Sequence, residues 1–336
     1  MTRIPYEDML ARFRGILLKI GFREDRAALC ARLFAESSRD GVYTHGLNRF
    51  PRFIEYVEKG IVRIHEEPSL VHATGPFERW DGRLGPGNLN AYFSMNRAIE
   101  LAKATGMGCV ALKDTNHWMR AGTYGWQAAE ADCIGICWTN TMPNMPSWGS
   151  KESRLGNNPI VFAIPKAGGH IVFDSAMSMF SYGKLEAYSR GGKELPVDGG
   201  FDPQGRLSKD PSRILESKRV LPIGYWKGSG LSLALDLIAM CLSGGNSTLE
   251  IGKLGTERGL SQVFICFDLA SFPDIERIRG EIEKVIMDLH SSEPDEAGGA
   301  VHYPGERTLA VREENLRLGI PVDEPYWRAV LEMPSA

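Results

Sequence analysis

Residues 90–140, NAYFSMNRAIELAKATGMGCVALKDTNHWMRAGTYGWQAAEADCIGICWTN, change their periodicity three times. Asn90 to Ala104 reads as a helix that ends at Gly106, and MGCVALKD (107–114) follows as a short apolar strand. GTYGWQAAEAD (122–132) is helical again, and CIGICWTN (133–140) is strand-like. Helices alternating with strands imply an α/β sheet. Working outward, VFAIP (161–165) and HIVFD (170–174) flank AGG and read as two strands joined by a turn. GSGLSLALDLIAMCLSGG (228–245) is a strongly apolar helix bounded by glycines, QVFICFDL (262–269) is another strand, and Pro273 to Leu289 another helix. Residues 190–213, rich in Gly, Pro, Asp and Lys, read as a long surface loop.

The two ends of the chain are helical. Tyr6 to Ile20 puts Met9, Leu10, Phe13, Ile16, Leu17 and Ile20 on one face, with Gly21 as the stop. A second helix runs from Glu24 to Ser37. A third begins near Leu47, carries Phe50, Phe53, Ile54 and Val57, and stops at Gly60; Pro51 fits its first turn, where no donor is missed. From Gly305 two further helical segments are separated by IPVDEP. The expected organisation is an open α/β domain in the middle with helical ends that pack together.

The 336 residues suit about two domains of roughly 150 residues each. Hydrophobic residues make up 43% and charged residues 24%, which argues against a disordered or fibrous chain. With 39 Lys+Arg against 42 Asp+Glu, the net charge is −3, and no basic excess points to nucleic acid or an anionic membrane. No apolar run approaches the roughly 20 residues of a membrane span, and MTRIPYEDMLARFRG lacks a signal core, so a cytoplasmic location is expected. The scattered Cys30, Cys109, Cys133, Cys137, Cys241 and Cys266 are expected to be reduced core thiols rather than metal ligands.

Three clusters can carry chemistry. In Tyr43-Thr44-His45-Gly46-Leu47-Asn48-Arg49, a His precedes an Arg by four residues in a loop entering a helix. Such a pair suits a 2-oxo acid, the guanidinium gripping the carboxylate while the imidazolium protonates the carbonyl oxygen. The plainer alternative is a helix-capping His and a solvated Arg. In Asp114-Thr115-Asn116-His117-Trp118, just after a predicted strand, His117 can be a second acid, an anion donor or a buried hydrogen-bonder, or the segment can be only a turn. Gly224-Tyr225-Trp226-Lys227-Gly228-Ser229-Gly230 precedes an apolar helix and suits a nucleotide, or merely a tight turn. Gly85-Pro86-Gly87 lacks the third glycine of G-x-G-x-x-G, so the Rossmann fingerprint fails. The phosphate-loop, G-x-S-x-G and H-E-x-x-H motifs are absent, and the seven histidines show no metal-ligand spacing, so no metal is expected.

Longer strings carry a family resemblance: SRDGVYTHGLNRFPRFIEYVEKG (38–60), NHWMRAGTYGWQAAE (116–130), IGICWTN (134–140), AMSMFSYGKLE (176–186), LPVDGGFD (195–202) and LPIGYWKGSGLS (221–232). Together they resemble the type-2 malate/L-lactate dehydrogenase family of NAD(P)-dependent 2-oxo acid reductases, over essentially the whole chain. The resemblance implies a non-Rossmann nucleotide-binding α/β domain around a mixed sheet, about residues 71–304. It also implies a helical domain formed by both chain ends, residues 1–70 with about 305–336. The implied activity is reduction of a 2-oxo acid, here a sugar-derived diketo acid, by NADH, with NADPH possible, in a homodimer whose site lies near the subunit contact. Other members act as malate, L-lactate or ureidoglycolate dehydrogenases or cyclic-imine reductases, and a non-catalytic nucleotide binder is a further alternative.

Carried over by motif, His45 matches the proton donor and Arg49 the carboxylate-binding arginine; His117, from the cluster after the predicted strand, is the further candidate to bind substrate. The cofactor strand and turn match His170, Ile171, Val172, Phe173, Asp174, Ser175 and Ala176; Trp226 and Lys227 match a second cofactor segment, and Gly305, Glu306 and Arg307 a third. Asp198 and Asp202 are the candidates to orient the His45 ring. Three positions depart from the family pattern: Thr44 replaces Ser, Asn157 replaces Thr, and Arg307 stands where an acidic residue is usual.

Overall fold

The computed structural model describes residues 2–294 and 299–336. Near the start, β1 (Arg3–Ile4) precedes the helices α1 (Tyr6–Lys19), α2 (Glu24–Arg39) and α3 (Phe50–Glu58). Met9, Phe13, Ile16 and Leu17 of α1 are buried, as their spacing predicts, against Phe34 of α2 and Phe50 and Phe53 of α3. The Phe13 and Phe50 rings stack at 4.1 Å, and Phe34 meets Phe50 edge-on at 5.1 Å. The third helix starts later than its sequence suggests. Tyr43–His45 and Leu47–Arg49 form two 3₁₀ turns, and the α-helix begins at Phe50, with Pro51 in its first turn.

The other end of the chain closes this core. β13 (Ile320–Pro321) pairs antiparallel with β1, while Trp327 and Val330 of α12 (Glu324–Glu332) join the same apolar cluster. In the chain α11 (Glu306–Leu318) comes directly before them.

The middle of the chain is a seven-stranded mixed sheet. Its strands are β2 (Ser69–Thr74), β3 (Phe77–Asp81), β4 (Met107–Thr115), β5 (Cys133–Thr139), β8 (Ile160–Ile164), β9 (Ile171–Ser175) and β12 (Leu260–Asp268), in the order β2-β3-β4-β12-β5-β8-β9. Among the described residues, five of its six neighbour pairs run antiparallel and β3–β4 runs parallel. The two strands read in residues 90–140 are therefore not neighbours; β12 lies between them, Phe264 facing Val110 on one side and Cys137 on the other. VFICF is apolar on both faces, which suits the centre of a sheet covered on both sides. Val110, Leu112, Cys137 and Phe264 pack under α4 (Gly87–Thr105) and α5 (Gly122–Glu130). The alternate residues Ala111, Trp138 and Val263 pack with Leu235 and Ala239 of α8 (Trp226–Ser243).

The remaining helices are α6 (Tyr182–Arg190), α7 (Pro211–Ser217), α9 (Thr248–Lys253) and α10 (Ile275–His290). A ribbon of β6 (Met145–Pro146) and β7 (Ser153–Leu155) sits between β5 and β8 in the chain. The stretch 190–213, expected as a loop, holds the hairpin β10 (Gly200–Phe201) and β11 (Leu207–Ser208) and the start of α7. Asp202 closes the hairpin by accepting from the Arg206 N–H at 2.9 Å, and Asp210 caps α7 through the Ser212 N–H at 2.9 Å. Five of the six cysteines are buried thiols; Cys241, on α8, is exposed, contrary to the core reading. Among the described residues no group of three or more His, Cys, Asp or Glu is placed to hold a metal ion.

Candidate active site

A cleft of about 1310 Å³ opens between the helical ends and the sheet. That exceeds the roughly 300–1,000 Å³ of an ordinary small-ligand pocket. His45, Arg49 and His117, far apart in sequence, all line it. His45 closes the first 3₁₀ turn and Arg49 the second, so two tight turns set their spacing. His117 comes from the loop after β4; Asp114, near the end of that strand, and Met119, in the loop, hold positive φ of 49° and 67°. Such backbone is strained for residues with side chains and recurs at functional sites.

The His45 and His117 rings lie nearly parallel, 13° apart in plane, with centroids at 5.8 Å. The Met119 N–H donates to His117 Nδ1 at 3.0 Å, which leaves Nε2 as the protonated nitrogen of the neutral ring. Thr44 Oγ1 sits 3.2 Å from His45 Nδ1, so the hydroxyl at the Ser-to-Thr position holds the ring. Neither aspartate expected to orient His45 does so. Asp202 is taken up by the Arg206 guanidinium at 3.1 Å and by its own hairpin, and Asp198 does not line the cleft.

Both imidazoles resist protonation. The desolvating cleft, then the nearby Arg49 and Arg120 charges, pull His45 down to about 4. Desolvation, Arg49 and His45 itself hold His117 well below the ordinary histidine value. Among the described residues the carboxylate nearest Arg49 is Glu257, Oε2 at 3.6 Å, too far for a direct hydrogen bond, with Glu186 a more distant counter-charge. The guanidinium fork is thus left with donors for an incoming carboxylate.

The third wall comes from β9 and the turn ahead of α11. Val172, Phe173, Asp174 and Ala176 line it, together with Gly305 and Thr308. The two segments are joined by a hydrogen bond from the Val172 N–H to the Pro304 carbonyl at 2.8 Å. Gly305 has φ +98°, and a Cβ there would sit 3.0 Å from the Val172 nitrogen and 3.1 Å from the His170 oxygen, so only glycine lets the turn lie against the strand. Asp174 Oδ2 accepts from the Gly122 N–H at 2.7 Å, at the N-terminus of α5.

Other expected cofactor residues are not on the cleft wall. His170 accepts from the Lys166 N–H through Nδ1 at 3.2 Å, and Ser175 Oγ donates to the Ala176 carbonyl. Ile171 also lies off the wall. Glu306 turns to His302 at 3.0 Å and His290 at 3.1 Å, while Arg307 is exposed. Trp226 and Lys227 lie on the outer surface at the start of α8, with Trp226 65% exposed. Sequence reasoning in turn missed Arg120 and Glu257, which line the same cleft, and Asn144, whose Nδ2 holds Asn157 Oδ1 at 2.9 Å. Arg120 was the most accessible of these, three residues after His117 in a stretch already singled out.

The family model for malate/L-lactate dehydrogenase matches residues 4–331. The chain belongs to this dehydrogenase family. It is similar to the 2,3-diketo-L-gulonate reductase of Citrobacter koseri, with 44% identity over 98% of this chain and 99% of that protein. The 2,3-diketo-L-gulonate reductase of Klebsiella pneumoniae shows the same 44% identity and coverage. Among solved structures, malate dehydrogenase from Entamoeba histolytica superposes with a TM-score of 0.93 at 26% identity, covering 99% of this chain and 97% of that one. This member of the dehydrogenase family is accordingly an oxidoreductase, and the family implies a nicotinamide cofactor. Among the described residues no helix is long and apolar enough to cross a membrane.

Proposed function

We propose that this protein uses NADH to reduce the 2-oxo group of 2,3-diketo-L-gulonate, giving 3-keto-L-gulonate. The observation that carries the reading is the meeting of His45, His117 and Arg49 on one cleft, with the β9–Gly305 wall completing it. That wall is wide and its backbone is held by Gly305, which fits a dinucleotide lying along it. Val172, Phe173, Asp174, Ala176 and Gly305 would hold the cofactor, and the bound nicotinamide supplies a hydride to the carbonyl carbon. Arg49 takes the substrate carboxylate in its fork. Thr44 and the ring-to-ring contact with His117 orient His45, whose free ring nitrogen delivers a proton to the carbonyl oxygen as the C=O bond becomes CH–OH. Among the alternative activities of the family, malate, L-lactate or ureidoglycolate oxidation and cyclic-imine reduction, the specific observation in their favour is Asn157. Its amide, pinned by Asn144 and by Thr141 Oγ1 at 3.2 Å, lines the cleft with more bulk than a threonine.

The helical ends (1–70 and about 305–336) are read as one domain and residues 71–304 as the cofactor domain. The largely antiparallel sheet and the missing third glycine support a nucleotide module of non-Rossmann type. Trp226 and Lys227 do not line their own cleft, and α8 exposes Leu231, Leu233, Leu237 and Ile238 further along the same helix. Exposed apolar surface of this kind marks a subunit contact, so a homodimer is proposed in which each copy lends Trp226 and Lys227 to its neighbour's cofactor. A cytoplasmic location accords with reduced thiols. A panel of 2-oxo acids, followed by loss of NADH and NADPH absorbance, tests substrate and cofactor together. Fastest turnover of oxaloacetate, pyruvate or a cyclic imine would replace the proposed substrate, and equal efficiency with NADPH would remove the NADH preference. Leu237→Arg should give a monomer by light scattering with weakened cofactor binding; a dimer of undiminished affinity would refute the shared site.

A further inference from the structure

Asp40 is a buried carboxylate that the reaction above does not use. It ends α2, five residues before His45, and binds three arginines from three parts of the chain. Arg39 Nε donates to Oδ1 at 2.7 Å. Arg120 Nη1, from the loop that carries His117, donates to Oδ2 at 2.6 Å. Arg312, from α11, donates from Nε to Oδ1 at 2.8 Å and from Nη2 to Oδ2 at 2.7 Å, a two-pronged contact. Burial alone would raise this carboxyl, but Arg312, Arg120 and Arg39 outweigh it and hold it well below the usual carboxylate range.

The surroundings reinforce the same junction. Asn315 Nδ2, also on α11, donates to the Arg39 carbonyl at 2.8 Å and to the Tyr43 hydroxyl at 3.3 Å. Gly41, at φ +84°, lets the turn lie on Val311 of α11, whose Cγ1 would be 2.8 Å from a Cβ at that position. Arg312 stacks over the Trp126 ring at 5.0 Å, tying α11 to α5. A single carboxylate thus joins the stem of the His45 turn, the stem of the His117 loop and α11.

We propose that Asp40 is a positioning residue that fixes His45 against His117 by clamping Arg120 and Arg312 between the two loops. Misplacing a reacting group by about 1 Å can cost about 10²-fold in rate, and the Arg120–Asp40 hydrogen bond ties the loop of one imidazole to the stem of the other. Among the described residues, the charged and titratable groups around His45 include Arg49 and, beyond it, Arg52 from its own segment, Arg120 and His117 from the loop after β4, Glu257 and Glu186 beyond Arg49, and Asp174 beyond Arg120. With the clamp cut, the His45 turn loosens, water enters, and Arg120 no longer faces the ring.

The reading rests on the proposed role of His45 only for its kinetic arm. The experiment has a second arm independent of activity: the His45 ring titration in the ligand-free protein, followed by NMR of histidine-labelled protein, in wild type, Asp40→Asn and Arg312→Lys. The clamp predicts that Asp40→Asn moves the His45 titration upward, toward the ordinary histidine range, and lowers kcat about 10²-fold with a much smaller change in KM. Arg312→Lys keeps the charge and a folded chain but loses the fork, and should move both readouts in the same sense by less. An unchanged or lowered titration in both variants would overturn the proposal, since removing a nearby negative charge without loosening the turn shifts His45 downward. An upward shift with unaltered kcat would uphold the clamp and count against His45 as the acid.

Discussion

The acidity of His45 gives the sharpest test of the proposed chemistry. With its pKa pulled down to about 4 before substrate binds, only about one molecule in 10³ carries the proton at pH 7, a cost of about 4 kcal/mol. Two of the three causes are positive charges, Arg49 and Arg120, and the substrate carboxylate is placed to neutralise the first. Binding of a 2-oxo acid should therefore draw a proton onto the site. A full return to the ordinary value of about 6.5 would raise the protonated fraction about 240-fold at pH 7. For reduction at saturating NADH, kcat/KM reports the enzyme without 2-oxo acid and should fall toward tenfold per pH unit from pH 5 upward. The kcat profile reports the complex and should stay flat to a higher pH before it falls. In the oxidative direction the unprotonated ring is the ready base, so kcat/KM should be level above about pH 5. Calorimetric titration with a 2-oxo acid analogue in buffers of different ionisation enthalpy counts the proton directly. If both reduction profiles break at one pH near 6.5, or if His45→Gln keeps the wild-type rate and profile, the reasoning fails.

Other outcomes follow from the same geometry. Arg49→Lys retains the charge but loses the fork, and should raise KM for the 2-oxo acid about 10- to 100-fold; unchanged KM and kcat would exclude the clamp. Gly305→Ala forces a side chain into the φ +98° turn against Val172, and should cost about 1–3 kcal/mol of stability and weaken nucleotide binding, read by thermal melts with and without NADH. Acidification should destabilise the fold in two stages. Between about pH 6.5 and 4 the unfolded chain binds protons that native His45 and His117 refuse, so stability falls as pH falls; below the unfolded aspartate value the contribution of Asp40 is lost in turn. A melting temperature that stays level from pH 7 to pH 4 would contradict the first stage.

Much of this was legible in the chain itself. The apolar spacing of Met9, Phe13, Ile16 and Leu17 gave α1 because one face had to be buried. The helix–strand alternation of residues 90–140 identified α4, β4, α5 and β5. Strand order was not legible, since β12 reaches its place between β4 and β5 from more than a hundred residues away. β2 escaped notice because all six of its residues are exposed on a sheet edge, where no alternation is needed. At the site, His45 and Arg49 were readable because local turns fix their spacing. Glu257 and Asp40 were not, because their partners are long-range and a lone carboxylate carries no periodic signal. Asp202 failed as a partner of His45 for the opposite reason: local hairpin chemistry claims it.

The pairing of Arg3–Ile4 with Ile320–Pro321 has a bearing on how the molecule is made. On a ribosome adding about 5–20 residues per second, the first three helices emerge and then wait roughly 15–50 seconds for the strand and helix that cover them. The sheet receives its last strand, β12, only about 3–10 seconds before β13 emerges. The histidine turn, seated between the early and late arms, is therefore among the last parts to settle, and a nascent or truncated polypeptide lacking its final helices should bind nucleotide weakly and turn over nothing.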